Sequence, residues 1–336
     1  MLRRARFVLL LILAVVLAAL ITSGGLVILY SPIVDEPLRL PLSATWMLCG
    51  IAALAAFTRQ RWRGRAAIAV LAGLGIVAVA WSMLAPSNDR DWQRDVAVLP
   101  TVTIAGDMVT IRNIRNIDYR SESDFDVRYY DKTFDLKKLN SVDLLASYWM
   151  GPAIAHTILS FGFGGQDFIA ISIEARKERS KAYSTVKGFF RQYELIYIVA
   201  DERDVLRLRT NYRKDPVEEI YLYRVVTEPD AARRVFLDYM RSIDELDNRP
   251  AWYNSATSNC TSNIWLHAAV NPGRPPFSWK IVVSGFVPEY LYEVNRLVPG
   301  VPFADLQAKG LINGRAQAAD QAADFSRRIR EGIPGY

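Results

Sequence analysis

The chain has 336 residues, 51% of them hydrophobic, with 41 Lys and Arg against 35 Asp and Glu. That length fits one or two domains. The net charge of +6 lies wholly in residues 1–86, where eight Arg stand against two acids, leaving 33 of each sign in residues 87–336; the basic balance therefore reflects membrane topology and excludes a nucleic-acid surface, which calls for a basic domain.

Arg3, Arg4 and Arg6 precede an uncharged run at 7–30, "FVLLLILAVVLAALITSGGLVILY". About 20 apolar residues cross a bilayer, and a signal peptide has a shorter core of about 7–15. No lipobox cysteine follows, so the run reads as a retained anchor. Further spans are expected at 41–57 and 66–85, separated by "TRQRWRGR" with Arg59, Arg61, Arg63 and Arg65. The loop after the first span carries Asp35, Glu36 and only Arg39. The positive-inside rule places the N-terminus and the 59–65 loop in the cytoplasm and residue 87 onward in the periplasm. The expected division is a three-helix membrane anchor at 1–86 and a periplasmic domain at 87–336.

After the polar linker "SNDRDWQR" come strand-like runs: "DMVTIRNI", "PAIAHTILSFGF", "DFIAISIEA", "YELIYIVA", "DVLRLRTN" and "EEIYLYRVV". They are rich in Ile, Val, Tyr and Phe, and several alternate. In "DAARRVFLDYMRSIDELDN" the apolar positions Ala232, Val235, Phe236, Tyr239, Met240, Ile243 and Leu246 fall at helical spacing. A second helix is expected from near Cys260 to the break at Asn271-Pro272-Gly273, and a polar surface helix in "AQAADQAADFSRRIREG". Strands close in sequence imply a mostly antiparallel α+β domain behind three transmembrane helices.

Cys49 lies in the second span, which leaves Cys260 as the one thiol of the outer domain. A leftover cysteine in an oxidising compartment is a free reactive thiol or pairs between molecules, whereas a free cysteine in a core is common and inert. Ser258 or Asn259 is placed to cap a helix starting at Cys260, whose orphan N–H groups favour a thiolate and an oxyanion. His267 is seven residues along that helix, about 10 Å away, too far to serve the thiol. His156, in the middle of a strand, is the alternative base. A loop centred on Gly165 pairs residues whose numbers sum to 330 and sets His156 against Glu174, a carboxylate that can orient an imidazole; a register one residue different sets it against Ile173 or Ala175, and a solvated Glu174 or one paired with Arg176 is the alternative. Two distant histidines do not make a zinc site, and "GFGGQD" lacks a phosphate loop's Gly-Lys-Ser/Thr, so no metal or cofactor is expected. The stretch "EARKERSKAYSTVKGFFRQYE" reads as a solvated turn, with Arg191 and Glu194 flanking the next strand.

"GPAIAHTILSFGF", "IAISIEARKE", "GFFRQYELIYIVADERDVLRLRTNYR" and "YNSATSNCTSNI", in that order, resemble the Lnb N-terminal periplasmic domain family over about 101–292. The family is named for a protein that moves an acyl chain within diacylated lipoproteins. Its conserved His and Cys match His156 and Cys260, and its S-x-E-x-R element matches Ser172, Glu174 and Arg176. A strand His before a helix Cys also resembles circularly permuted papain-like folds. Unlike the namesake's, this chain's spans precede the domain, so the resemblance bears on thiol chemistry more than on substrate. It implies a membrane-anchored acyltransferase or hydrolase acting on a lipid-linked or lipoprotein substrate. Cys260, His156 and Glu174 are the expected catalytic residues; Asn259, Ser172, Arg176, Tyr253 and Asn254 are the candidates for oxyanion or substrate binding. Phe161, Phe163, Phe189 and Phe190 are the candidate walls of an acyl pocket. A cell-wall peptidase or amidase, and a binding or assembly module without turnover, stay open as alternatives.

Overall fold

The computed structural model describes residues 2–336 and divides into two compact units. One holds the N-terminal helices up to Ser87 together with Tyr183–Tyr193; the other holds Asn88–Ala182 and Glu194–Tyr336.

In the first unit, α1 (Leu2–Tyr30), α2 (Glu36–Phe57) and α3 (Arg63–Ser82) are each long and apolar enough to cross a membrane. α2 begins earlier than expected because Asp35 takes the N-cap position and Pro37 falls in the first turn, where a missing N–H costs nothing. Trp46 of α2 lodges against two glycines of its neighbours. A Cβ on Gly24 or Gly73 would come within 2.7 or 2.6 Å of its ring. Its Nε1 donates to the Ile21 carbonyl at 2.7 Å. Small residues that admit a large side chain close membrane helix pairs in this way.

The second unit is built on ten strands: β1 (Thr101–Ala105), β2 (Met108–Arg115), β3 (Asp118–Tyr119), β4 (Phe125–Asp126), β5 (Tyr129–Asp135), β6 (Leu139–Tyr148), β7 (Ala155–Phe163), β8 (Asp167–Arg176), β9 (Glu194–Ala200) and β10 (Glu219–Val225). Eight form one sheet in the order β1-β2-β9-β8-β7-β6-β10, with β5 on β2, and β3 pairs with β4 separately. Every pair is antiparallel except β2–β9, which is parallel at Arg115↔Ala200. This is the mostly antiparallel α+β domain expected.

The sheet is covered on both faces, and β9 is buried along its whole length. On one face Ile158, Ala170, Ile196, Ile198 and Leu222 pack under α4 (Glu202–Arg207) and the C-terminal segment. On the other, Phe161 and Phe163 meet Phe236 of α5 (Pro229–Asn248) at 5.1 and 5.4 Å between ring centroids. Two of the four phenylalanines expected to wall an acyl pocket, Phe161 and Phe163, are therefore core residues. In α5 the buried set is Ala232, Phe236, Tyr239, Met240, Ile243 and Leu246, one apolar stripe at helical period.

The structure adds β1, β5 and β6 to the strand runs read from the sequence, and it replaces two expected elements. "DVLRLRTN" is not a strand: it forms α4 and then a π-helical turn, Leu208–Tyr212. Asp201 caps that helix by accepting from the Arg203 N–H at 2.9 Å, and Glu202 and Asp204 occupy its first turn. The cap favours a helix against the apolar–polar alternation that suggests a strand, and packing of Val205 and Leu206 in the core settles it. The C-terminal stretch is not one surface helix. It breaks into Asn313–Ala318 and Phe325–Arg328 and buries Phe325 and Ile329 completely. Arg330 inserts between Asp143 (2.9 Å) and Glu202 (2.6 Å), both fully buried, so its charge holds the tail down.

Candidate active site

The β7–β8 hairpin turns through residues 164–166, with Gly164 and Gly165 at φ of 63° and 74°, a conformation glycine adopts without strain. Its register runs from Phe163↔Asp167 to Ile158↔Ser172, so partners sum to 330 as expected. The β7–β8 pairing then stops. β7 continues on β6 as far as Ala155↔Tyr148, and β8 continues on β9 as far as Arg176↔Glu194. The sheet forks there, and His156 and Glu174 sit on the two prongs.

Helix α6 (Cys260–His267) packs against both prongs. Asn259 is its N-cap: the Asn259 carboxamide oxygen accepts from the Ser262 N–H at 2.9 Å, and the Ser262 hydroxyl accepts from the Asn259 N–H at 2.9 Å. This capping box satisfies two of the four orphan N–H groups of the helix start. The two it leaves over belong to Cys260 and Thr261.

His156 Nε2 lies 2.7 Å from the Ser172 hydroxyl, which in turn donates to Glu174 Oε1 at 2.7 Å. The direct His156–Glu174 separation is 3.6 Å, so the carboxylate reaches the imidazole through the serine. Because Ser172 donates to Glu174, its oxygen accepts from Nε2–H. That fixes the tautomer and leaves Nδ1 as the basic nitrogen available to the thiol. Glu174 is anchored from behind by Arg209 at 3.0 Å, which also meets Glu218 at 3.1 Å. Glu218 accepts from Ser147 and pairs with Arg213 at 2.5 Å. Burial alone would raise the Glu174 pKa, but Arg209, His156, Arg115 and the Ser172 hydroxyl hold it well below the usual carboxylate range. Glu218 is likewise held down to about 2, against burial, by Arg209 and Arg213.

Cys260 is 9% exposed. Burial pushes its thiol up. The charge and hydrogen bond of His156, with hydrogen bonds from Thr157, more than reverse this and bring it to about 6. A thiol with those neighbours is substantially ionised at neutral pH.

The core of this arrangement, from β6 to α6, falls within one recognisable segment. Residues 125–285 match the model of the Lnb N-terminal periplasmic domain family. The match is narrower at both ends than the expected 101–292. No curated protein and no solved structure matches the chain. Residues 125–285 are thus similar to an Lnb N-terminal periplasmic domain, and three helices long and apolar enough to cross a membrane precede them, which points to a membrane-associated protein.

The Lnb-type segment brings Cys260, His156, Ser172 and Glu174 together and engages the other candidates elsewhere. Arg176 continues the same strand face, but its guanidinium donates to the carbonyls of Val96 (2.9 Å) and Ala97 (2.8 Å) and stacks on Trp92 at 4.2 Å. It fastens the linker that follows the membrane spans. The Asn254 carboxamide oxygen accepts from the Ala256 and Thr257 N–H groups at 2.9 and 3.0 Å and shapes the loop before α6. The Asn259 side-chain NH2 donates to the Ser255 carbonyl at 2.8 Å, so it is engaged in the same loop. Tyr253, next in the chain to Asn254, is buried. His267 is remote from the thiol, between Tyr197 (2.7 Å) and Asp238 (2.8 Å), and stacks on Tyr239 at 3.9 Å. Burial lowers its pKa despite Asp238.

Sequence reading missed Arg209, Glu218 and Ser147. Arg209 lies in the run whose alternation predicts a strand; the one available signal is an arginine amid apolar neighbours, which once buried must find a carboxylate.

The second unit also holds an apolar cavity of about 320 Å³ beside the thiol. Leu144 and Leu159 of the sheet, Val235 of α5, and Ile264 and Trp265 of α6 line it. Thr157 and Thr261, 3.2 Å apart, form the wall next to Cys260. Its size is at the lower end of the range for small-molecule sites, about 300–1,000 Å³.

Ser172→Ala is expected to raise the midpoint of Cys260 alkylation by about one to two pH units, since a hydrogen bond to a charged group contributes about 1.5–3 kcal/mol. An unchanged midpoint would show that His156 needs no relay.

Proposed function

We propose that the protein is a membrane-anchored thiol acyltransferase or hydrolase whose substrate carries a fatty acyl chain. The observation that carries this reading is the juxtaposition of the Cys260–His156–Ser172–Glu174 chain with an apolar cavity. The thiolate attacks the ester or amide carbonyl and forms a C–S bond. The Cys260 and Thr261 N–H groups stabilise the oxyanion that develops. As the tetrahedral intermediate collapses, His156 gives its proton to the departing oxygen or nitrogen. An acceptor amine or water, deprotonated by His156, then attacks the thioester and releases Cys260. The apolar lining favours an acyl chain over a cell-wall peptide, which suits a polar, open cleft.

The test is to incubate the full chain with a diacylated lipopeptide or a phospholipid and look by mass spectrometry for an acyl group on Cys260 that hydroxylamine removes. The expected result is a thioester in the wild type, none in Cys260→Ala, and a preference for shorter chains in Val235→Phe, which narrows the cavity. Absence of thioester with every acyl donor, together with cleavage of a muropeptide, would turn the assignment to the peptidase.

A further inference from the structure

Tyr183–Tyr193 is the later part of the connection from β8 to β9, yet it packs with the N-terminal helices. The expected solvated turn is, over this half, a compact loop. Tyr183 stacks on Tyr193 at 5.9 Å, the Ser184 N–H donates to the Tyr193 hydroxyl at 3.0 Å, and a 3₁₀ turn follows at Lys187–Phe189.

Its far end caps two spans. Gln192 donates to the Tyr30 carbonyl at 2.6 Å, and Phe190 stacks on the Tyr30 ring at 5.6 Å, at the end of α1. Arg191 donates to the Trp81 carbonyl at 2.7 Å and lies over the Trp81 ring at 4.4 Å, at the end of α3. Carbonyls at a helix C-terminus lack intrahelical partners and carry the negative end of the dipole, so a cation is favoured there. Arg191 has φ of 56°, a left-handed conformation uncommon outside glycine, and that backbone is held by these contacts.

Successive crossings return the ends of α1 and α3 to one bilayer face. Tyr30 and Trp81 mark that face as the interfacial layer, where aromatic rings concentrate. The loop bound to them leaves Val186 and Phe189 48% and 42% exposed, with Lys187 between them. Apolar side chains next to a cation at that depth match a segment that lies in the headgroup and upper acyl region.

We infer that the Tyr183–Tyr193 loop is a lipid-contacting element, with Val186 and Phe189 immersed in the interfacial layer and Lys187 among the phosphates. The segment leads into β9, the neighbour of the strand that carries Ser172 and Glu174. The inference is independent of what the thiol does.

The test uses the full chain with Cys49→Ser and Cys260→Ser, reconstituted in phosphatidylethanolamine–phosphatidylglycerol bilayers. Nitroxides are placed singly at Val186→Cys, Phe189→Cys and, as an aqueous reference, Ser123→Cys. Collision with oxygen, which concentrates in lipid, is compared with collision with a water-soluble nickel chelate. Oxygen is expected to dominate at 186 and 189 and nickel at 123. Nickel access at 186 and 189 equal to that at 123 would put the loop in water and overturn the inference. Shielding from both reagents would mean that protein covers the loop, and would overturn it equally. All three substituted side chains are exposed, so the fold does not depend on them.

Discussion

Alkylation of Cys260 in a Cys49→Ser chain is expected to titrate with a midpoint near pH 6. The largest influence on this thiol is burial, which favours the neutral form and acts upward. The midpoint falls only because the charge and hydrogen bond of His156, and then Thr157, favour the thiolate. Removing His156 leaves burial with little to oppose it. In His156→Ala the midpoint is therefore expected above the ordinary thiol value of about 8.5. The alkylation rate near neutral pH then drops by more than about tenfold, because the thiolate fraction falls by about a factor of ten for each pH unit that separates the medium from a higher midpoint. Iodoacetamide labelling across a pH series from acid to alkaline, read by peptide mass spectrometry, gives both midpoints. Equal midpoints in the two chains would remove His156 as the partner of Cys260 and with it the nucleophile; the binding module would then be the better account.

Arg209→Met is expected to produce a large loss of stability. Arg209 is 6% exposed and is shared between Glu174 and Glu218. Its loss leaves Glu174 without its direct ion pair, while Glu218 keeps Arg213. Removing one partner of a buried ion pair costs about 3–5 kcal/mol. Both glutamates titrate lower in the folded chain than in the unfolded one. The stability they contribute is complete above the unfolded pKa of about 4.3 and is lost as pH falls through the depressed folded values. Without Arg209 those folded values rise. The variant's deficit should then be greatest near neutral pH and shrink as the medium is acidified toward about pH 4, where the glutamates begin to take up protons. Thermal unfolding of both chains in detergent at the two pH values reads this. A melting temperature equal to the wild type's at neutral pH would show that Arg209 is dispensable. A deficit independent of pH would assign the loss to packing of its stem.

How far the fold and the site were legible in the sequence differs by level. The spans were readable because bilayer thickness demands about 20 apolar residues in a row, a constraint that acts on contiguous sequence. The hairpin register was readable because two glycines fix the turn and pairing then propagates by local geometry. The position of Cys260 at a helix start was likewise local, set by Asn259 and Ser262 within three residues. "DVLRLRTN" shows the limit: its alternation and its capping signal conflict, and only packing against the sheet decides between strand and helix. Phe161 and Phe163 show another, since periodicity says that a side chain is buried but not which element it meets.

The sequence by itself determined the membrane anchor, the α+β class and the candidate pair Cys260 and His156, because each rests on a contiguous pattern or on the scarcity of Cys and His in the chain. Only the tertiary structure decided that the sheet forks at His156, that Ser172 stands between His156 and Glu174, and that Arg209 backs them. It alone set an apolar cavity beside the thiol and folded Tyr183–Tyr193 onto the ends of two spans. These depend on contacts between residues far apart in the chain, where burial forces each charge and hydroxyl to find a partner that no local pattern names.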